Sequence, residues 1–232
     1  MTVPVPPGDL GASSAEASSW TPVRWPDDTD ARRRLEEYLQ VRGDRLRDAQ
    51  PIDPDFGGVE VDLRGARLPD APLRGAWLNG ANLEGVILRG SRLNGAHLEG
   101  SSLRNADLTA AEMRDVNLSY ANATNAVFTD ADLYQAEAFA TVLRDAQLGG
   151  ANLTAVLMYE ADLRGADLRG ATFDEFLTLE RSKLAGARVD GLSGTVLGPI
   201  DIAPGDDQIL IDGAEMEAWF RTHGAPGITV RR

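Results

Sequence analysis

The chain of 232 residues contains no cysteine, which excludes disulfides, thiolate metal sites and a cysteine nucleophile. Its only two histidines, His97 and His223, lie far apart, and neither has a second metal ligand at a typical spacing. No run approaches the roughly 18 apolar residues of a membrane helix, and the start, MTVPVPPGDLGASSAEASSW, lacks the basic and apolar regions of a signal peptide. We therefore expect a cytoplasmic protein with no membrane contact, no metal and no cofactor.

Lysine is almost absent, since Lys183 is the only lysine among 23 basic residues, which is typical of GC-rich coding such as that of actinobacteria. The net charge is −13. Residues 1–60 hold 12 acids and 7 bases, residues 61–191 hold 18 and 13, and residues 192–232 hold 6 and 3. An excess of acidic residues spread this evenly indicates ordinary solubility more than a polyanionic binding surface.

A repeat of five residues runs without a gap from Val61 to Glu175 in 23 cells, beginning VDLRG, ARLPD, APLRG, AWLNG. The third residue of the cell is Leu in 17 cells, and the first is Ala in 16. The exceptions are Met, Phe or Ala at the third position and Val, Ser or Thr at the first. None of these 46 positions is charged although 25% of the chain is, so both positions face an interior.

The other three residues of each cell face water and turn the chain. Gly fills the fifth position in seven of the first eight cells, which suits a corner with positive φ. The first and third residues alternate inward as in a strand. Short sides joined by corners make a coil, and each coil buries its Leu only against neighbouring coils. The repeat therefore predicts an all-β solenoid.

Cells such as ADLRG, ANLEG, ADLYQ and ANLTA resemble the pentapeptide-repeat family, whose consensus is A(D/N)LXX. The resemblance covers residues 61–191 and implies a right-handed quadrilateral β-helix with four cells per coil. About six coils, each rising about 4.8 Å, would make a rod roughly 30 Å long. The segment FLTLER at 176–181 has six residues where a cell has five, which predicts a loop or bulge before the repeat resumes at Ser182.

The front of the rod needs a cap, because an open coil exposes backbone edges and its Leu core. We expect an N-terminal helical cap over residues 20–60, with a helix over about 28–48 that Asp28 or Asp30 begins. Residues 1–19 are rich in Pro, Ser, Ala and Gly, which predicts a disordered tail.

The back of the rod is predicted to end in a C-terminal cap over residues 192–232, with a short strand in QILID and a helix in DGAEMEAWFRTHG. Asp212 begins this helix and Gly224 ends it. Its apolar face consists of Met216, Trp219 and Phe220, which are candidate contacts to the last coil. They are also candidate homodimer contacts, because the resemblance implies dimers through the C-terminal segment, as in gyrase-binding members of the family, although this segment differs in type from theirs and the role as a lid on the last coil is preferred.

We expect no enzyme. Catalysis needs titratable groups that converge on a concave pocket, and a square rod filled with Leu has flat walls. Acids recur at the second cell position, which a solvated face of the repeat explains. No catalytic, cofactor-binding or metal-binding residue is therefore predicted.

One of the four walls differs from the others. Cells 76–80, 96–100, 116–120, 136–140 and 156–160, which we call the fourth wall, contain no Lys or Arg, whereas each other wall holds at least three. Aromatic side chains are enriched at interfaces. The outward ring-bearing and acidic residues of the fourth wall are our candidate partner-binding face: Trp77, His97, Glu99, Tyr120, Glu137, Phe139, Tyr159 and Glu160.

Two functions are open. In the first, the solenoid is a non-catalytic protein-interaction scaffold for an unknown partner. In the second, implied by the resemblance, it is a DNA mimic like the pentapeptide-repeat proteins that protect DNA gyrase from quinolones or natural-product poisons, which makes DNA gyrase the leading named partner. DNA carries one negative charge per about 1.7 Å, and residues 61–191, with 18 acids and 13 bases, carry only −5. The scaffold is therefore preferred, and we expect no direct binding of nucleic acid.

Overall fold

The computed structural model describes residues 21–45, 61–174, 176–205 and 207–231. From residue 61 to residue 174 each cell forms one short extended side and one turn. All 46 first and third positions of the cells are buried, including those occupied by Ser, Thr, Met and Phe. The inward assignment of these positions is confirmed.

Successive turns of the chain stack through parallel backbone pairs between residues twenty apart. One ladder runs through Asp62, Asn82 and Ser102, and further ladders pass through the other cells. The N–H of Asn82 donates to the carbonyl of Val61 at 2.9 Å, and the N–H of Leu63 donates to the carbonyl of Asn82 at 2.8 Å. A spacing of twenty residues means that four cells complete one coil of the solenoid, and each coil hydrogen-bonds to the next.

The fifth position of every cell turns the chain with a positive φ, between 49° and 75° from residue 65 to residue 170. Glycine adopts this conformation freely, which explains its frequency in the first eight cells. Later cells place other residues in the same conformation, including Tyr120 at 62° and Ala140 at 49°. A residue with a Cβ pays roughly 1 kcal/mol there, so the corner geometry is imposed by the coil and not by glycine.

The Asp or Asn at the second position closes the turn that follows it. The carboxylate of Asp162 accepts the N–H of Arg164 at 3.3 Å, and the side chain of Asn117 accepts the N–H of Ser119 at 2.9 Å. Such side chains mimic a backbone turn. The recurrence of acids at this position therefore has a local structural cause beyond solvation.

Two of the three hydroxyl residues at the first position hydrogen-bond to the wall of the preceding coil, while the hydroxyl of Ser101 donates to the carbonyl of Leu98 in the preceding cell at 2.7 Å. The hydroxyl of Ser91 donates to the carbonyl of Leu68 at 2.9 Å, and that of Thr141 donates to the carbonyl of Leu118 at 2.8 Å. Both residues are fully buried. Buried polar groups need such partners, which explains how Ser and Thr replace Ala in the interior.

The predicted irregularity after residue 175 is an insertion of one residue. Asn152 pairs with Thr172, twenty residues on, but Leu157 pairs with Thr178, twenty-one residues on. The inserted residue precedes or lies within β1 (Phe176–Thr178), a short continuous strand. The predicted bulge is confirmed.

The front of the rod is covered by α1 (Thr29–Arg45). Asp28 begins the helix, since its carboxylate accepts the N–H of Ala31 at 2.7 Å. Ala31, Leu35 and Tyr38 are buried and join the core of the first coils. The disordered tail predicted for residues 1–19, and the predicted end of the helix near residue 48, lie outside the described residues.

An edge contact at the first coil precedes α1 and was not predicted. Arg24 pairs antiparallel with Arg67: the N–H of Arg24 donates to the carbonyl of Arg67 at 3.1 Å, and the N–H of Arg67 donates to the carbonyl of Arg24 at 2.9 Å. Pro72 lies on the same first coil and has no N–H to offer an incoming strand. Both features reduce the unpaired edge that an open coil presents.

The back of the rod ends in two small sheets. β2 (Ser193–Leu197) pairs in parallel with β1 and with β5 (Gly227–Arg231), in the order β1-β2-β5. β3 (Ile200–Asp201) pairs antiparallel with β4 (Leu210–Ile211), which lies within the predicted QILID strand. Since Leu157 pairs with Thr178 of β1, the three-stranded sheet continues the fourth wall.

The last helix, α2 (Gly213–Thr222), lies at the predicted place. The carboxylate of Asp212 accepts the N–H of Gly213 at 2.7 Å, and Gly224 follows the helix with φ of 83°. Met216 and Phe220 are fully buried in the core. Neither α1 nor α2 is long and apolar enough to cross a membrane.

Candidate interaction surface

The fourth wall is a single ladder of stacked cells. Trp77 pairs with His97, and the pairing continues through Asn117, Glu137 and Leu157. The four steps from Trp77 to Leu157 amount to about 19 Å at about 4.8 Å per step. The residues that the sequence assigned to one wall are thus brought together by the fold.

The aromatic side chains of the fourth wall are exposed. Trp77 is 42% exposed, Tyr120 63% and Phe139 38%, while Tyr159 is half-buried. The rings of Tyr120 and Phe139 meet edge to face with centroids 5.3 Å apart. Apolar rings in contact with water are a cost to the isolated chain, which makes this wall the natural place to look for a partner.

The three carboxylates of the fourth wall have different surroundings. Glu99 accepts a hydrogen bond from the side-chain amide of Asn117 at 2.5 Å. Glu160 lies 4.0 Å from the guanidinium of Arg181. Glu137 is exposed, and its carboxylate has no hydrogen-bond or ion-pair partner among the described residues.

His97 is half-buried, and its ring meets that of Trp77 edge to face with centroids 5.5 Å apart. This pair occupies the front of the fourth wall, whereas Tyr120 and Phe139 form a second pair farther along. The wall therefore presents two aromatic pairs, with Glu99 and Glu137 in the same cells.

The fourth wall is not free of positive charge along its whole length, because Arg181 lies beside Glu160. The five cells that define the wall hold no cation, but the coil beyond them brings Arg181 to Glu160. The inserted residue after residue 172 hid this neighbour, because it shifted Arg181 out of the five-residue register. The cation-free part of the wall therefore ends before Glu160.

On the other walls, each acid at the second cell position is paired with an arginine. Arginines at the fourth cell position pair with acids at the second position of the same cell or of the next coil. These ion pairs join the following residues: Arg64–Asp62, Arg89–Asp107, Arg114–Asp132, Arg144–Asp162 and Arg169–Asp167. Outside the fourth wall, the arginines of these pairs are therefore held against carboxylates.

Asp162 is the most strongly held of these acids. Its oxygens accept hydrogen bonds from Arg144 at 2.6 Å and from Arg164 at 2.7 and 2.9 Å. Burial by itself would raise the pKa of Asp162, but the hydrogen bonds from Arg164 and Arg144 outweigh it and lower the pKa from 3.8 to about 2. This carboxylate is a structural link between two coils.

A cleft of about 530 Å³ lies at the front of the rod. Asp27, Asp28, Asp62 and Arg64 line it. Each has a partner: Asp27 binds Arg24, Asp28 caps α1, and Asp62 binds Arg64. Charged groups already engaged in this way provide structure, and no group of three His, Asp or Glu residues in the described ranges is arranged to hold a metal.

The C-terminal candidates divide by burial. Met216 and Phe220 are buried within their own chain, whereas Trp219 is half-buried. The Trp219 ring stacks on that of His223 at 4.1 Å and meets Phe220 edge to face. Met216 and Phe220 therefore pack inside the end of the rod, and Trp219 is the member of the set that keeps a surface.

The helix α2 also protects the edge of the C-terminal sheet, which the sequence did not indicate. The carboxylate of Glu217 accepts the N–H of Val230 in β5 at 3.1 Å. β5 is the last strand in its sheet, so this contact satisfies a backbone donor at the edge. Its only sequence signal is an acid on the helix face toward an edge strand.

The repeat region matches a known protein family. Eight copies of the pentapeptide repeats model match over residues 59–95, 81–119, 111–138 and 140–175, which together make up half of the chain. A comparison with curated proteins found no match.

Three solved structures are similar to parts of the chain. A pentapeptide repeat protein (Rfr23) from the cyanobacterium Cyanothece 51142 is 26% identical over 52% of this chain and 84% of its own, with a TM-score of 0.31. HetL, involved in heterocyst differentiation regulation in Nostoc sp. strain PCC 7120, is 27% identical over 64% and 78%, with a TM-score of 0.26. QnrB1, a plasmid-mediated fluoroquinolone resistance protein, is 17% identical over 78% and 87%, with a TM-score of 0.27.

Pentapeptide repeat proteins fold into right-handed quadrilateral β-helices. The uncharged first and third positions, the corners at every fifth residue and the pairing of residues twenty apart agree with that architecture. Together with the eight matched copies, they show that the chain belongs to the pentapeptide repeat family.

Proposed function

We propose that this protein is a non-catalytic scaffold, a right-handed rod of about six coils whose fourth wall binds a protein partner. The observation that carries the proposal is the exposure of Trp77, Tyr120 and Phe139 on one wall whose five cells contain no cation. Buried aromatic anchors dominate the energetics of protein interfaces. A partner that covers these rings would remove apolar surface from water at about 25 cal/mol per Å².

The conformation of Tyr120 supports a role for its side chain. Tyr120 occupies a corner with φ of 62°, where glycine would be less strained. Its ring contributes little to the interior, since the residue is 63% exposed. A bulky residue kept in this conformation on the surface is more easily explained by a contact outside the chain than by stability.

The test uses the absence of cysteine. Ala140→Cys on the fourth wall, Ala110→Cys on the second and Ala155→Cys on the third all lie at fifth positions with positive φ, so they are structurally matched. Each variant carries a photo-crosslinker on its single thiol. The proteins that each variant captures in cells are then compared. We expect a partner to be captured from Ala140→Cys and not from the other two variants. Capture from Ala110→Cys or Ala155→Cys instead would move the interface to another wall.

DNA gyrase is the second candidate partner, with the chain acting as a DNA mimic. The net charge of −13 and the cation-free cells of the fourth wall favour it. The paired arginines of the other walls favour the scaffold, because they interrupt any continuous negative field. Supercoiling by gyrase is measured with the full chain titrated in, with and without a fluoroquinolone. Inhibition or rescue at micromolar protein would support mimicry, and no effect would remove gyrase as the partner.

A homodimer through the C-terminal segment is a further proposal. Trp219 is half-buried, and Ile209 and Leu210 near the same end are 50% and 41% exposed. Sedimentation equilibrium of the full chain and of Trp219→Ser tests it. A dimer that this substitution weakens would support the C-terminal contact, and a monomer at 100 micromolar or so would refute it.

A further inference from the structure

The third wall contains an arginine held between a carboxylate and an aromatic ring. The guanidinium of Arg114 donates from Nε to Asp132 at 2.5 Å and lies over the ring of Tyr134, 5.4 Å from its centroid. Asp132 and Tyr134 are the second and fourth residues of one cell, and Arg114 is the fourth residue of the cell one coil earlier. The three residues form a compact site for a guanidinium.

The fourth wall repeats this site five residues later, but without its arginine. Glu137 takes the place of Asp132, Phe139 takes the place of Tyr134, and Ser119 takes the place of Arg114. Ser119 is buried, and its short side chain cannot span to the next coil as an arginine does. The carboxylate of Glu137 consequently has no hydrogen-bond or ion-pair partner among the described residues.

The surroundings of Glu137 and Phe139 suit a guanidinium from outside. Glu137 and Phe139 are both exposed, and Tyr120 adds a second ring in edge-to-face contact with Phe139. No Lys or Arg lies in the five cells of the wall to compete for Glu137. A planar guanidinium can pair with a carboxylate while it stacks on a ring, which an ammonium does less well.

We propose that Glu137 and Phe139 form a receptor for an arginine side chain of the partner protein, in the position that Arg114 occupies on the third wall. The inference rests on the proposed function, because it names the chemistry by which the fourth wall would recognise its partner. The partner is thus expected to present at least one accessible arginine at the centre of its interface.

The first test fills the receptor from within. Ser119→Arg should restore the arrangement of the third wall, and Thr129→Arg, also at a fourth position but on the second wall, is the control for added charge. The probe is the peptide (Arg-Gly-Gly)₃, with citrulline and lysine counterparts, titrated against the full chain by NMR. We expect the arginine peptide to bind about fivefold more tightly than the citrulline peptide, and Ser119→Arg and Glu137→Gln each to remove that preference. Thr129→Arg should leave the preference intact.

Equal binding of the arginine and citrulline peptides would overturn the receptor, as would unchanged preference in both Ser119→Arg and Glu137→Gln. Binding of the lysine peptide as tight as that of the arginine peptide would reduce the site to a plain carboxylate and would refute the role of the ring.

Failure of the receptor and failure of the proposed function give different results. If Ala140→Cys captures a partner and Ser119→Arg does not reduce that capture, the wall is the interface and the receptor is wrong. If the peptide preference is found but Ala140→Cys captures nothing, the receptor stands and the proposed function fails.

Discussion

Asp162 provides a measure of how much the arginine–aspartate pairs stabilise the rod. The side chain of Asp162 is only 12% exposed, and it receives hydrogen bonds from Arg144 of one coil and Arg164 of the next. Arg164 is itself 15% exposed and donates through Nη1 to the carbonyl of Gly205 at 3.3 Å. One carboxylate thus ties together two coils and the loop between β3 and β4.

The pH dependence follows from the direction of the pKa shift. The pKa of Asp162 is lowered to about 2 in the folded protein, against about 3.9 for an unfolded chain. Because the folded value is the lower one, the stabilisation is fully present above about pH 5 and is lost as the pH falls from about 4 to 2. A difference of nearly two pKa units corresponds to about 2.5 kcal/mol of the free energy of unfolding.

The substitution Asp162→Asn isolates the charge. Asn retains an acceptor for the N–H of Arg164 and is a residue that the repeat itself uses at the second position, as in Asn82 and Asn122. We expect the free energy of unfolding at pH 7, measured by urea denaturation, to fall by about 2.5 kcal/mol. The difference between the variant and the natural protein should shrink toward zero near pH 2.

Asp107→Asn is the matched control, because Asp107 accepts the N–H of Thr109 in the same way but is 27% exposed and lies 3.6 Å from Arg89. We expect it to lose less than about 1 kcal/mol at pH 7. If Asp162→Asn and the natural protein lose stability in parallel between pH 5 and pH 2, the ion-pair argument for Asp162 is refuted.

Three further substitutions test other parts of the fold. Leu118→Lys should abolish folding, because it buries an unpaired charge in the core; a normal thermal transition by circular dichroism would contradict the inward assignment. Ala140→Gly should raise the free energy of unfolding by up to about 1 kcal/mol, because it relieves a corner at φ of 49°; unchanged or lower stability would show that the corner is unstrained. Glu217→Ala should increase concentration-dependent association, because it uncovers the N–H of Val230 at the edge of β5; light scattering that matches the natural protein would show the edge to be protected by other means.

The interior and the caps were accessible from the sequence because their rules are local. A charge is excluded from every first and third position, and that exclusion alone identifies the core that the structure contains. The extra residue near 175 is found by counting residues per cell. Asp28, Asp212 and Gly224 could be placed because helix ends have their own residue preferences.

The contacts between coils were less accessible. Arg181 reaches Glu160 only through the inserted residue, and Arg24 pairs with Arg67 across a gap of more than forty residues of chain. Glu217 protects β5 through a packing angle that no local pattern encodes. Each of these contacts depends on the relative position of separate elements, which residue spacing does not determine.

The repeat separates the residues that build the rod from those that can carry function. Because the inward positions carry the same uncharged residue types in every cell, differences among cells are concentrated at the second, fourth and fifth positions. On three walls the second position obeys a further rule, in which an arginine of the same cell or of an earlier coil balances every acid there. Glu137, with Phe139 in the same cell, is an acid at the second position without a paired arginine, although the inward positions of that cell keep the uncharged pattern of the core. Stability does not require the exception, since the coil there retains its ladder and its buried core, and so the departure is best explained by something that binds the wall.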